Sequence, residues 1–144
     1  MTSLLDVNVL IALADRHHDH HDSAHRWLSE NSGDGWASCA LTENGLVRIV
    51  SNPSYPNSTR SPAVGIKMLA ILKQMKGHVF WPNSISLMDD RIFHANQIVS
   101  HKQVTDIYLL GLARSHEGYF ATFDQHIRHE AVIGGRDALR IINA

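Results

Sequence analysis

The chain has 144 residues, a hydrophobic fraction of 44% and a formal net charge of -1 from 13 basic and 14 acidic residues. This length suits one domain spanning residues 1–144, and this hydrophobic content excludes a wholly disordered chain. The near-neutral charge excludes a global field that attracts nucleic acid, so any RNA or DNA binding has to depend on local patches.

The sequence also bears on where the protein works. No apolar stretch approaches the roughly 20 residues that a membrane span needs. The N-terminus lacks the basic segment and long apolar segment of a signal peptide. A single cysteine, Cys39, allows no intrachain disulfide and is typical of a reducing compartment. We therefore expect a cytoplasmic protein without a membrane partner.

Short apolar runs alternate with helical patterns in the first half of the chain. Residues 4–9 predict a buried strand that leads into an apolar turn at 10–14, and the polar segment 15–22 predicts a loop. The other elements predicted here are a helix at 22–28, a strand at 36–40, a helix at 41–50, a loop at 52–58, and a helix that Ser61 and Pro62 open and Gly77 ends.

The second half continues the alternation. The predicted elements are strands at 79–81, 119–123 and 139–142, a helix within 86–98, a helix at 103–116, and a polar turn or short helix at 125–130. Alternating strands and helices indicate an α/β domain with a mainly parallel sheet. In such sheets ligands bind at the carboxyl ends of the strands.

Four acidic residues adjoin apolar runs. Asp6 ends the apolar run at 3–5 and Asp124 closes the run at 119–124, and Glu43 and Asp106 fall in the first turns of predicted helices. A carboxylate in such a place has to be solvated, paired or bound to a metal, because burying it bare costs several kcal/mol or more. Four of them, far apart in the sequence, predict one acidic pocket that holds a divalent cation.

The segments around these acids carry a family resemblance. In chain order they are Asp6-Val7-Asn8 followed by Leu10-Ile11, Thr42-Glu43-Asn44-Gly45-Leu46-Val47-Arg48-Ile49, Val104-Thr105-Asp106-Ile107-Tyr108-Leu109-Leu110-Gly111-Leu112-Ala113, and Ala121-Thr122-Phe123-Asp124. Together they resemble the PIN-domain ribonucleases, especially the VapC-type toxins of bacterial toxin–antitoxin modules. The resemblance covers nearly the whole chain. It implies a three-layer α/β/α domain and a metal-dependent endoribonuclease that cuts accessible RNA.

By this resemblance, Asp6, Glu43, Asp106 and Asp124 form the catalytic quartet, and the cofactor is Mg²⁺ or Mn²⁺. Asp6 and Asp106 are the expected direct ligands, and Asp124 a direct or water-mediated one. Glu43 is expected to orient or deprotonate the attacking water. Mg²⁺ prefers oxygen ligands and keeps several waters, so one or two carboxylates suffice to bind it. One-metal and two-metal mechanisms both fit.

Three further residues are candidates for contacts with the acids or with RNA. Asn8 is expected to hold the Asp6 carboxylate or the backbone, or to be an ordinary turn residue. Thr122 shares a strand face with Asp124, so its hydroxyl can reach a carboxylate, a metal-bound water or a phosphate. Arg48 lies about 140° round the helix from Glu43, and we expect it either to pair with an acid or to contact phosphate.

Five of the eleven histidines lie between His17 and His25. His21 and His25 have the spacing of a helical metal pair. No cysteine or HExxH motif accompanies them, so the sequence favours a solvated loop over a physiological zinc or nickel site. Seven other acids are expected to be merely solvated: Asp15, Asp19, Asp22, Asp34, Asp89, Asp90 and Asp137.

The resemblance also implies partners. These are an RNA substrate, a small cognate antitoxin that covers the acidic pocket, and a second copy of the chain in a homodimer. Two alternatives stay open. A phosphatase-type domain would need a second aspartate where Asn8 stands and a lysine in the site. A non-catalytic RNA- or partner-binding PIN-like module would have little need for all four acids.

Overall fold

The computed structural model describes residues 1–144 except the side chain of Ser32, and in this range it has five β-strands and six α-helices. In chain order they are β1 (Ser3–Leu5), α1 (Val7–Ala14), α2 (His21–Asn31), β2 (Trp36–Cys39), α3 (Ala40–Ser51), α4 (Pro62–Leu72), β3 (His78–Trp81), α5 (Val104–Ser115), β4 (Tyr119–Thr122), α6 (Gly135–Ala138) and β5 (Leu139–Ile141). Short 3₁₀ helices span Ser32–Asp34, Ala95–Gln97, His101–Gln103 and His129–Ala131.

The five strands form one parallel sheet in the order β3-β2-β1-β4-β5. Leu4 of β1 pairs with Ala37 of β2 on one side and with Phe120 of β4 on the other. The chain therefore moves outward from β1 to β3 and then returns to add β4 on the opposite side of β1. The strand order reverses between β1 and β4, which is where a parallel α/β sheet forms its ligand crevice.

Helices cover both faces of the sheet, which confirms the expected three-layer α/β/α arrangement. Successive strand residues point to opposite faces, so Leu4 packs in a core with Phe120 and the α5 residues Ile107 and Leu110. Leu5 packs in the other core, on the face that α1, α2, α3 and α4 cover. Within the described residues, no helix is both long and apolar enough to span a bilayer.

The prediction of a strand at 4–9 followed by a turn was wrong. The strand ends at Leu5, and α1 begins at Val7 with Asp6 as its N-cap. The run from Val9 to Leu13 is buried throughout because α1 lies between the sheet and the outer helices. A short apolar run of this kind does not distinguish a buried strand from a buried helix, and the capping aspartate was the usable signal.

The helix predicted within 86–98 does not form. The segment consists of turns and the 3₁₀ helix Ala95–Gln97. Ser86 Oγ accepts a hydrogen bond from the Met88 N–H, and Asp89 Oδ1 accepts one from the Arg91 N–H. Such local side-chain bonds compete with helical hydrogen bonding. Asp89 also pairs with the Arg91 guanidinium at 2.9 Å, so it is not merely solvated.

The remaining boundaries are close to the predictions. Ser61 caps α4, as expected, by accepting a hydrogen bond from the Val64 N–H. Helix α4 ends at Leu72 rather than at Gly77, and the chain reaches β3 through turns. Helix α6 was not predicted, because its four residues are too few to show an apolar period.

Gly111 illustrates how closely the layers pack. A β-carbon at this position of α5 would lie 2.4 Å from Phe93 Cζ. We expect Gly111→Ala to destabilise the protein by about 1–2 kcal/mol, since an overpacking cost of about 2–3 kcal/mol exceeds the gain of about 1 kcal/mol in helix propensity. Urea denaturation measures this. Gly65→Ala in α4 is the matched control, because its β-carbon would meet Val50 at an ordinary 3.4 Å. The control should be neutral or stabilising, and a similar loss in both variants would contradict the packing explanation.

Candidate active site

Asp6 lies where β1 ends and α1 begins. Its Oδ1 accepts a hydrogen bond of 2.7 Å from the Val7 N–H, and its Oδ2 accepts one of 2.6 Å from the Thr122 hydroxyl. The residue is 6% exposed. Burial raises the pKa of Asp6 despite these two hydrogen bonds, and the negative charge of Asp124 raises it further. Asp6 is therefore a buried, rigidly held carboxylate.

Asp106 and Asp124 complete a group of three aspartates with Asp6. Asp106 is in the first turn of α5 and is half-buried. Its pKa is raised to about 6, first by burial and then by the charges of Asp6 and Asp124. Asp124 follows β4 and is exposed, and its N–H donates to Thr122 Oγ1 at 3.1 Å. The structure thus brings three of the four predicted acids together at the carboxyl ends of β1 and β4.

The donor set of these aspartates fits a hard divalent cation. All three offer carboxylate oxygens, and no lysine or arginine pairs with any of them in the described part of the chain. As placed, no three His, Cys, Asp or Glu side chains among the described residues are close enough to hold a metal ion together. Mg²⁺ needs only one or two direct carboxylates and reaches others through water, so this spacing is compatible with it.

Glu43 has different surroundings. It is in the first turn of α3, as predicted, but its Oε2 lies 3.0 Å from Lys73 Nζ and accepts a hydrogen bond of 2.6 Å from the Ser38 hydroxyl. Ser38 Oγ in turn accepts a hydrogen bond of 2.8 Å from His78 Nε2. The charges that act on Asp106 come from the other aspartates and not from Glu43. Glu43 therefore belongs to a polar network with Lys73, Ser38 and His78.

Sequence reasoning missed most of this network. The sequence predicted no role in the site for Lys73, Ser38 or His78. Ser38 is fully buried inside an apolar strand, where a hydroxyl needs a partner. The alternation of β2 places Ser38 on the face that α3 and α4 cover, and that was the one available hint.

Of the three other candidate residues, Thr122 makes an expected contact, whereas Asn8 and Arg48 form no hydrogen bond or ion pair with a described acid. Thr122 is fully buried and donates to Asp6, as one of its expected contacts required. Asn8 is exposed and, among the described residues, makes no hydrogen bond to Asp6. Arg48 is exposed beside Asn44 in a groove between α3 and α4, with no ion pair to a described acid. A contact of Arg48 with phosphate stays a prediction.

His21 and His25 have a structural role at the end of α1. His21 Nδ1 donates to the Ala12 carbonyl at 2.7 Å, and His25 Nε2 donates to the Leu13 carbonyl at 3.0 Å. Both carbonyls are in the last turn of α1, where backbone acceptors lack helical partners. The segment was expected to be a solvated loop, but α2 begins at His21 and this pair caps α1.

Asp15, also expected to be solvated, is buried instead. Its carboxylate accepts hydrogen bonds from the Tyr55 hydroxyl at 2.5 Å, from Asn57 Nδ2 at 3.2 Å and from the His17 N–H at 2.9 Å. Burial acts to raise the pKa of Asp15, but these hydrogen bonds lower it below its usual range. Asp15 fastens the loop after α1 to the loop after α3.

Known proteins resemble this chain in sequence and in fold. The family model described as "PIN domain" matches residues 3–132. Ribonuclease VapC44 of Mycobacterium tuberculosis is 48% identical over 93% of this chain and 94% of its own length. Ribonuclease VapC39 of the same organism is 41% identical over 93% of this chain and 96% of its own.

Two crystal structures share the fold. The M. tuberculosis toxin VapC20, described as cleaving the sarcin-ricin loop, superposes with a TM-score of 0.63 at 11% identity over 92% of this chain and 97% of its own. VapBC2 from Rickettsia felis, bound to a DNA fragment from its promoter, superposes with a TM-score of 0.58 at 13% identity over 86% of this chain and 89% of its own. At these identities the two structures establish the fold alone.

Proposed function

This chain belongs to the PIN-domain family and, within it, to the VapC ribonucleases, and from that premise we propose that it is a metal-dependent endoribonuclease that hydrolyses RNA phosphodiester bonds. The observation that carries the proposal is the meeting of Asp6, Asp106 and Asp124 at the point where the strand order reverses. Ionised carboxylates repel one another, and a bound cation would relieve this repulsion.

The residues of this chain have distinct tasks in the proposed reaction. A Mg²⁺ or Mn²⁺ ion bound by Asp6 and Asp106, with Asp124 as a direct or water-mediated ligand, would supply Lewis acidity and orient the phosphodiester. Thr122 holds the Asp6 carboxylate in one orientation through their 2.6 Å hydrogen bond. The Asp124 N–H donates to the same Thr122 hydroxyl, so this hydrogen bond fixes the start of the loop after β4.

Glu43 is the candidate for orienting the attacking water or taking its proton. In the structure Lys73 and Ser38 hold its carboxylate. To act on water held by the three aspartates, Glu43 either changes side-chain rotamer or reaches that water while it keeps its contacts with Lys73 and Ser38.

We also propose that the protein is the toxin of a toxin–antitoxin pair in the cytoplasm, with a small cognate antitoxin and a homodimeric assembly. The VapC names of its relatives and the VapBC complex among its structural neighbours support this pairing. The three aspartates give the antitoxin a target. A basic side chain presented to them would compete with the divalent cation for the same negative field.

Cleavage of RNA tests the proposed function. We expect the protein to cut RNA with Mg²⁺ or Mn²⁺ and to lose this activity in a chelator. Asp6→Asn should lose it as well while remaining folded. Asp90→Asn, which alters an exposed aspartate outside the group, should cut normally. Undiminished cleavage in chelator or by Asp6→Asn would contradict the metal mechanism. Failure to cut a broad set of RNAs would favour a non-catalytic binding module.

A further inference from the structure

Three aromatic rings lie together in segments that adjoin Asp6 and Asp124 in the sequence. His18 and His20 lie with ring centroids 5.6 Å apart, and His20 lies 5.2 Å from the Phe123 ring. We call these three residues the histidine shelf. The rings are tilted by 55° and 43° rather than stacked, so they do not cover one another. All three are half-buried, which leaves part of each ring open to a ligand.

The shelf adjoins the acids along the chain. Phe123 stands between Thr122 and Asp124, and Asn8, two residues after Asp6, lines a cavity of about 390 Å³ together with the shelf and the exposed Asp19. This volume is in the range of small-ligand pockets. A base fits in a cavity of this size, and Asn8 and Phe123, which line it, stand within two residues of Asp6 and Asp124.

The shelf is also held in place before any ligand arrives. His18 Nδ1 accepts a hydrogen bond of 3.0 Å from the His20 N–H, so the neutral His18 ring carries its hydrogen on Nε2. The preceding residue, His17, is fixed through its N–H to the buried Asp15 carboxylate, which Tyr55 also contacts. A preformed surface loses little conformational entropy on binding.

The chemistry of the shelf selects a nucleobase. Aromatic side chains beside a backbone-binding site recognise unpaired bases by stacking. The exposed Asn8 amide adds hydrogen-bond donors and an acceptor for a base edge. Among the described residues, these histidines do not combine with other ligands into a metal-binding group. A base in a duplex has both faces covered, so the surface suits single-stranded RNA.

We propose that His18, His20 and Phe123 form a subsite that stacks an unpaired base of the RNA next to the bond that is cut. This rests on the proposed ribonuclease function and adds a base-binding contact to it. The subsite contributes mainly to binding, since stacking is present before and during the reaction.

Binding can be measured without cleavage in an Asp106→Asn parent. The probes are a short single-stranded RNA and the same RNA with one abasic site moved along each position in turn. Adding His20→Ala should weaken binding of the intact RNA by about 5- to 100-fold, the effect of losing one stacked base. The parent should show a similar loss at one abasic position, and His20→Ala should show no further loss there.

Two variants separate stacking from charge and from folding. His20→Phe keeps an aromatic ring without the imidazole and should bind like the parent, while the exposed His94→Ala should have no effect. Phe123→Ala should repeat the His20→Ala result if its thermal midpoint shows that it is folded. Parent-like binding by His20→Ala, equal weakness of His20→Phe and His20→Ala, or no RNA binding by the parent would each overturn the subsite. Metal-dependent cleavage by the unmodified protein is measured separately, so its failure is distinct from loss of the subsite.

Discussion

Replacing Asp106 with asparagine is expected to lower RNA cleavage by about three orders of magnitude and to make the metal-free protein more stable at neutral pH. The loss of activity follows because several kcal/mol of charge stabilisation depend on a correctly held cation. The gain in stability follows because the mutation removes a charge that burial and two neighbouring aspartates disfavour. Replacing a residue needed only for folding would instead lower the stability and leave the cleavage activity of the folded protein unchanged.

The stability gain should depend on pH in a defined direction. The pKa of Asp106 is about 6 in the folded protein and near its ordinary value of 3.8 when unfolded. Below about pH 4 the group is protonated in both states and has no effect. As pH rises towards 6, the unfolded state releases the proton first, so the wild-type protein loses stability. Above about pH 6 the loss is complete, at about 1–2 kcal/mol after allowance for partial exposure.

Urea denaturation in chelator, at about pH 3 and about pH 7.5, measures this difference. Asp106→Asn should match the wild type at the lower pH and exceed it at the higher one. Asp90→Asn is the control, because this aspartate is exposed and should show neither effect. An Asp106→Asn protein that cuts RNA normally, or that is less stable at neutral pH, would remove Asp106 from the proposed site.

Thr122→Val should be the second damaging change, with a loss of about 10- to 100-fold in cleavage, as expected for a residue that orients a metal ligand. Valine has nearly the same shape but cannot donate to Asp6 or accept from the Asp124 N–H. The buried carboxylate then loses a charge-assisted hydrogen bond, which also costs about 1–3 kcal/mol of stability.

Thr122→Ser is the matched variant for this prediction, because it keeps the hydroxyl and removes only a methyl group. Initial cleavage rates across Mg²⁺ concentrations distinguish the two. Thr122→Val should require more Mg²⁺ for half-maximal rate, whereas Thr122→Ser should behave nearly like the wild type. If both variants lose activity equally, the methyl packing rather than the hydrogen bond is important.

The sequence predicted those parts of the site that depend only on the order of strands and helices. Asp6 and Asp124 follow neighbouring parallel strands, so their approach is a consequence of the strand order, and Asp106 begins the helix that leads into β4. The α/β class follows from the alternation of elements. The helix α1 was missed because a buried helix has no polar face and so no period to detect.

Contacts between distant side chains could not be predicted in this way. The pairing of Glu43 with Lys73 depends on how α3 packs against α4. The burial of Asp15 depends on Tyr55, 40 residues later. The same holds for His21 and His25, whose spacing suggested a metal pair until the end of α1 was found beneath them. Each of these needs tertiary structure, because nothing in the local sequence identifies the partner.

Binding of Mn²⁺, measured by isothermal titration calorimetry on the protein without RNA, tests most directly whether Asp6, Asp106 and Asp124 act as one cation site. The wild type should bind Mn²⁺, and Asp90→Asn should bind it equally well. Asp6→Asn and Asp106→Asn should each bind it at least about 10-fold more weakly, because each removes a carboxylate ligand. Unchanged Mn²⁺ affinity in both of these variants would contradict the proposed site.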